Sequence, residues 1–178
     1  MFKLCGQGYS TFDVVVYLMK KLGGRVKGIK KLMKLMFLIQ YEKTKGTIVK
    51  YLYRGKPITR AEFYIWSYGP LSNEVYDAVE GGLEVDDSDI PVTVKLPQQL
   101  NVESVENRLP EAVKRRIESV IRMYGELQGF ELERIAVKML ELDEFKKQEY
   151  MGSPVDNYIV SIFGKERFNI TDLYKKSS

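Results

Sequence analysis

The chain has 178 residues, 44% hydrophobic and 12% aromatic, which suffices for one compact domain with a real core. It contains no histidine, which removes the commonest general base, the Ser-His and Cys-His nucleophile pairs and the commonest transition-metal ligand, while the lone Cys5 excludes an internal disulfide and a cysteine zinc site. The net charge of +4 conceals a division: residues 1–60 carry 14 Lys and Arg against Asp13 and Glu42, residues 61–111 carry 2 against 11 acidic residues, and residues 112–178 carry 12 against 11.

The opening M-F-K-L-C-G-Q-G-Y lacks the apolar run of a signal peptide, and no later stretch approaches the roughly 20 apolar residues of a membrane span. With the single cysteine, this leads us to expect a soluble, cytoplasmic protein. The first helix starts at Thr11 with Ser10 or Thr11 as N-cap, Asp13 in its first turn, Lys20 and Lys21 in its last, and Gly23-Gly24 as a stop. A second helix is expected from about Ile29 to Tyr41, apolar almost all round in its later half and therefore buried. Lys27, Lys30, Lys31 and Lys34 share one face of its first half, read either as solvated and snorkelling or as part of a basic binding surface.

T-I-V-K-Y-L-Y alternates as a strand does, and Arg54-Gly55-Lys56-Pro57 follows as a turn. Ala61 to Tyr68 reads as the returning strand or as an extended buried segment, ended by Gly69-Pro70. Leu71 to Glu80 is expected to be a short helix with Ser72 as N-cap, Glu74 near its positive end, an apolar stripe of Leu71, Val75, Ala78 and Val79, and Gly81-Gly82 as terminator. L-E-V-D-D-S-D-I-P-V-T-V-K-L gives two short strands around an acidic turn at Asp86 to Asp89. Asn101 to Leu109 is taken as a loop leading to Pro110, followed by helices over Ala112 to Leu127, Leu132 to Leu142 and Val155 to Phe163 and a short one from Thr171. The order of elements gives a mainly helical α+β fold. Its N-terminal part is winged-helix-like with a small β-sheet, and a helical extension follows, all within a single domain: residues 10–100 carry the motifs and 110–178 the extension.

For catalysis and metals the signals are poor. Asp86, Asp87 and Asp89 lack the spacing and glycine of an EF-hand loop, Glu144-x-Lys146 matches only two residues of a nuclease signature, and no glycine-rich phosphate loop is present. We therefore expect no enzyme, no cofactor and no metal. The basic residues Lys27, Lys30, Lys31, Lys34, Arg54 and Lys56, with Tyr51 and Tyr53 as stacking faces, form a candidate nucleic-acid surface. A winged helix docked on DNA would instead bring Glu74, Asp77 and Glu80 against phosphates, so that helix is better suited to a protein. Phe63, Tyr64, Trp66 and Tyr68 read as core or as a lid over the second helix, with an exposed hot-spot cluster as the alternative.

G-I-K-K-L-M-K-L-M-F-L-I-Q, followed after a spacer by F-Y-I-W-S-Y-G-P-L-S-N-E-V-Y, resembles the SocA-like Panacea antitoxin domain, also called the phage-associated protein family, and the YwgA-like proteins. Leu32, Lys34, Leu35 and Phe37 match its lysine-leucine helix, and Phe63, Trp66, Tyr68, Gly69, Pro70, Val75 and Tyr76 match its W-x-Y-G-P and V-Y elements, over about residues 10–80. The resemblance implies a small, mostly helical, non-catalytic domain that binds a protein partner, in known members often a toxin that it neutralises or delivers to a protease.

The leading expectation is thus an antitoxin-like interaction module whose partner surface comprises Trp66, Tyr68, Glu74, Tyr76, Asp77 and Glu80. A DNA-binding regulator using the basic first third is the alternative; a homodimer fits either. Lys, Glu, Ile and Val in quantity with few Asn, Gln and Cys is a composition met in thermophile proteins, and an archaeal source is expected from it.

Overall fold

The computed structural model describes residues 8–175. Cys5 and the first seven residues of the opening segment lie outside them. Eight α-helices and several short strands form a mainly helical α+β structure, and no helix among the described residues is long and apolar enough to cross a membrane.

Helix α1 (Thr11–Lys21) begins where Ser10 Oγ accepts the Asp13 amide at 3.4 Å and ends as Gly23 and Gly24 turn away at positive φ. Strand β1 (Arg25–Lys27) leads into α2 (Ile29–Gln40), in which every residue from Leu32 to Gln40 is buried. Burial on all sides is what a helix without a polar face requires, so α2 is the axis of the core. Its carbonyl end is closed by a distant side chain: the buried Arg116 donates from Nη2 to Leu38 O at 2.7 Å and from Nε to Ile39 O at 3.0 Å. The same guanidinium pairs with Glu42 at 3.2 Å and lies 3.8 Å over the Tyr51 ring.

Strands β2 (Tyr41–Thr44) and β3 (Thr47–Tyr53) form a hairpin whose turn, Lys45-Gly46, has positive φ at both residues, the geometry that matches strand twist. Arg54-Gly55 repeats this turn geometry between β3 and the short β4 (Lys56–Pro57). Strands β5 (Tyr64–Trp66) and β6 (Gly69–Leu71) make a second, minimal hairpin before α3 (Asn73–Gly82). Strands β7 (Glu84–Asp86) and β8 (Thr93–Lys95) flank the acidic turn, and β8 pairs with both β7 and β1 to give the sheet order β1-β8-β7.

Six expectations need correction here. Ser72 precedes α3 but makes no capping bond, and the helix runs through Gly82, whose bare Cα allows Phe12 to pack against it, so Gly81-Gly82 is not a stop. Leu71 belongs to β6 and is only half-buried. Asn101–Leu109 is not a loop. Asn101 caps the helix α4 (Val102–Arg108) by accepting the Ser104 amide at 3.0 Å, and Val102, Val105 and Leu109 supply a narrow apolar stripe that packs on α1. Pro110 is the residue before α5 (Glu111–Tyr124) rather than its first. The helix expected from Thr171 is instead the strand β9 (Phe168–Asp172), paired in parallel with β3 from Ile48↔Phe168 to Leu52↔Asp172.

Helices α6 (Gly129–Met139), α7 (Glu144–Tyr150) and α8 (Val155–Phe163) complete the described chain. α5 and α6 both pack on α2, so the C-terminal half shares the core of the N-terminal half.

Candidate partner-binding surface

The W-x-Y-G-P hairpin is fixed from below by α2. Lys34, which keeps only 3% of its surface, donates from Nζ to Pro70 O at 2.8 Å, and the Ser72 amide donates to Met33 Sδ at 3.2 Å. Burial pushes the Lys34 ammonium down to about 8, with Glu133 opposing and Lys30 adding to the fall. Gly69, at positive φ, lets the hairpin turn lie against Val137 of α6 and the Lys34 side chain. From the other side, the Ile65 amide donates to Ser153 O at 2.9 Å, the Gly152 amide to Ile65 O at 2.8 Å and the Val155 amide to Phe63 O at 2.9 Å.

Within this anchored segment the side chains alternate as strand geometry dictates. Phe63 and Ile65 are buried, Phe63 edge-on to Phe37 at 5.5 Å, while Tyr64 and Trp66 point the other way. Trp66 is therefore 46% and Tyr68 63% exposed, and neither is core. Tyr76 of α3 is also exposed. Of the four aromatics grouped in the sequence, only Phe63 is a core residue; the others were separable by the period-two pattern F-Y-I-W.

Glu74 is drawn into the scaffold: its Oε1 accepts the Glu62 amide at 2.6 Å, and Tyr64 Oη donates to Glu62 at 2.7 Å, which raises the Tyr64 hydroxyl. Asp77 and Glu80 are exposed, and among the described residues no cation pairs with either. The acidic middle of the chain is not neutralised by the basic first third. The lysines of that third pair chiefly with the C-terminal segment: Lys30 with Glu133 at 2.7 Å, Lys43 with Glu141 at 3.5 Å, and Lys50 with Asp156. Lys20 to Glu106 and Asp13 to Arg108 are the exceptions.

The six residues of the candidate nucleic-acid surface do not form one patch. Lys34 is interior and not on a solvated face, because its ammonium is spent on Pro70 O. Lys31 donates to Gly125 O at 2.7 Å, and Lys30 lies 4.8 Å over the Tyr68 ring besides pairing with Glu133. Lys27 is exposed on β1. Arg54 and Lys56 instead line a cleft with Arg60 and Arg108, which the sequence did not single out. Tyr51 is not available for stacking, since Arg116 occupies one face and its hydroxyl, pushed up to about 12 by burial and by Glu42, donates to that carboxylate at 2.7 Å.

Two other features have little free chemistry. Asp86 accepts from Ser88 and Lys95, which together lower its carboxyl to about 2, and among the described residues no group of acidic side chains could hold a metal ion. A cavity of about 480 Å³ opens beside Tyr41, Lys50 and Asp156, but Asp156 already accepts from both of the others.

The family model of the antitoxin SocA-like, Panacea domain matches residues 32–139. The match starts inside α2, excludes α1, and extends through α4, α5 and α6, well beyond the motif-bearing residues to about 80 that carry the resemblance in sequence. No curated protein and no solved structure matches the chain.

Proposed function

The chain belongs to the antitoxin SocA-like, Panacea domain family, and from that premise we propose that it binds a toxin protein through the exposed aromatics of the W-x-Y-G-P hairpin and the acidic face of α3. The carrying observation is that Trp66 and Tyr68 stand in solvent on a hairpin held by bonds from α2 and from the α7–α8 link. Rigid, solvent-facing aromatics lose little entropy on binding and supply most of the energy at protein interfaces. Tyr76, Asp77 and Glu80 extend the surface, and Glu74 ties the hairpin's lead-in to α3. The unpaired carboxylates suit a partner with a basic face. Binding, not catalysis, is the role this reading assigns.

Co-expression with the product of the adjacent gene of the host tests the reading. Wild-type protein is expected to restore growth and to co-purify with that product, whereas Trp66→Ala combined with Tyr68→Ala abolishes both while leaving the melting temperature close to wild type. Full neutralisation by the double variant would refute the assignment of this surface.

A further inference from the structure

Away from the hairpin, a cleft of about 620 Å³ lies between the N-terminus of α1, the β3–β4 turn and the end of α4. This volume is within the range of small-molecule sites, about 300–1,000 Å³. Its lining carries four cations, Arg54, Lys56, Arg60 and Arg108, against one carboxylate, Asp13. Asp13 is consumed by Arg108, whose Nε and Nη2 reach its two oxygens at 3.0 and 2.9 Å. Arg54 and Arg60 have no carboxylate partner among the described residues; the guanidinium of Arg60 only donates from Nε to Gly8 O at 3.4 Å. Two guanidiniums without a carboxylate partner beside one concavity attract an anion.

The cleft is also rigid and aromatic. The Asp172 carboxylate accepts the amides of Arg54 at 3.0 Å and Gly55 at 2.6 Å, fixing the turn that presents Arg54. The Arg54 guanidinium lies 4.5 Å over the Tyr174 ring and 5.7 Å over that of Tyr53, and Tyr53 is 5.8 Å from Tyr9. Tyr9 in turn exchanges backbone bonds with Ile58 O and the Arg60 amide at 3.0 and 3.1 Å. At Gly8, with φ of +89°, a Cβ would fall 2.2 Å from Pro57 O, so only glycine lets the chain close this wall.

The geometry points to a binding site for a nucleoside polyphosphate, with Arg54 and Arg60 on the phosphate oxygens and the base against the ring of Tyr9, since Arg54 already lies over Tyr53. Guanidinium forks match phosphate oxygens in bidentate fashion, and flat phenol rings accept a planar base. The site is independent of the toxin-binding reading and requires no partner.

Isothermal titration of the full chain with ATP at low salt tests the proposal. Saturable one-to-one binding is expected, weakened at least about tenfold by Arg54→Gln and by Arg60→Gln, the loss expected of a charge-assisted hydrogen bond. Tyr9→Leu should weaken ATP binding and leave inorganic triphosphate unaffected. If Tyr9→Leu lowers the melting temperature, wild-type affinity for AMP against ribose 5-phosphate decides the same point, AMP being expected to bind more tightly. Absence of saturable binding, binding indifferent to both arginine substitutions, or triphosphate held as tightly as ATP would each overturn it. So would binding of a single-stranded oligonucleotide that ATP does not displace.

Discussion

Lys34 Nζ and the carbonyl of Pro70 are joined by a 2.8 Å hydrogen bond in the interior, so the core helix α2 holds the exposed hairpin through a buried cation. The lysine of the K-L-x-K-L pattern and the proline of W-x-Y-G-P are thus two ends of one contact.

That contact is sensitive to pH. The Lys34 ammonium is lowered from 10.5 to about 8, so between these values the unfolded chain binds the proton more readily than the folded one. Stability attributable to Lys34 is therefore present above 10.5 and is lost as pH falls through about 8. Over the whole window the difference is on the order of 3 kcal/mol. Urea midpoints at several pH values should show it as a slope in wild type relative to Lys34→Met, since both chains share the tyrosines that titrate at the upper end. Parallel profiles would show that Lys34 does not titrate there.

Trp66 and Phe63 are three residues apart and should behave oppositely. Phe63→Ala empties a core position and should cost about 3–5 kcal/mol, whereas Trp66→Ala, at an exposed site, should stay within about 1 kcal/mol. Thermal melts of the two variants decide between a stabilising and an interaction role for Trp66.

Arg116 closes the carbonyl end of α2 while paired with Glu42 and stacked on Tyr51. Arg116→Ala leaves those carbonyls and the carboxylate without it in a buried site and should cost about 3–5 kcal/mol. Because Glu42→Gln removes part of the same network, the double variant should lose less than the sum of the two, as a double-mutant cycle in urea would show.

Asp172 clasps β9 to the Arg54-Gly55 turn through two backbone amides. Its own carboxyl lies below the usual value, because the amide bonds from Tyr174, Gly55 and Arg54 outweigh its burial. Asp172→Ala should cost about 1 kcal/mol. Amide exchange along β3 and cleavage near residue 170 by dilute protease should both accelerate, while the hairpin at Trp66 stays unchanged.

Much of the fold was legible wherever one local signal decided it. Ser10 with Asp13 and Gly23-Gly24 bracket α1, and T-I-V-K-Y-L-Y could only be a strand. The reading failed where tertiary pairing decides. Nothing in F-N-I-T-D declares a parallel partnership with β3, and the polar α4 shows its apolar stripe only once α1 is beside it. For the candidate surface, the aromatic residues were readable but their facing was not taken from the F-Y-I-W alternation. Amphipathic spacing places Lys34 with its lysine neighbours on one face and does not reveal that a carbonyl waits for this member. The convergence of Arg54 with Arg60 and Arg108 joins three separate segments and leaves no mark in sequence.

The parallel pairing of β3 with β9 carries a consequence for how the chain is made. Ile48 leaves the ribosome about 120 residues before Phe168, its strand partner, so one flank of β3 stays without its companion until β9 has been made. Long-range parallel pairing is intrinsically slow to form, and an open strand flank is a place where nascent chains associate wrongly. Closure of this sheet therefore waits for β9, and ribosome-bound chains stopped before Phe168 should depend more on chaperones than chains stopped after Asp172.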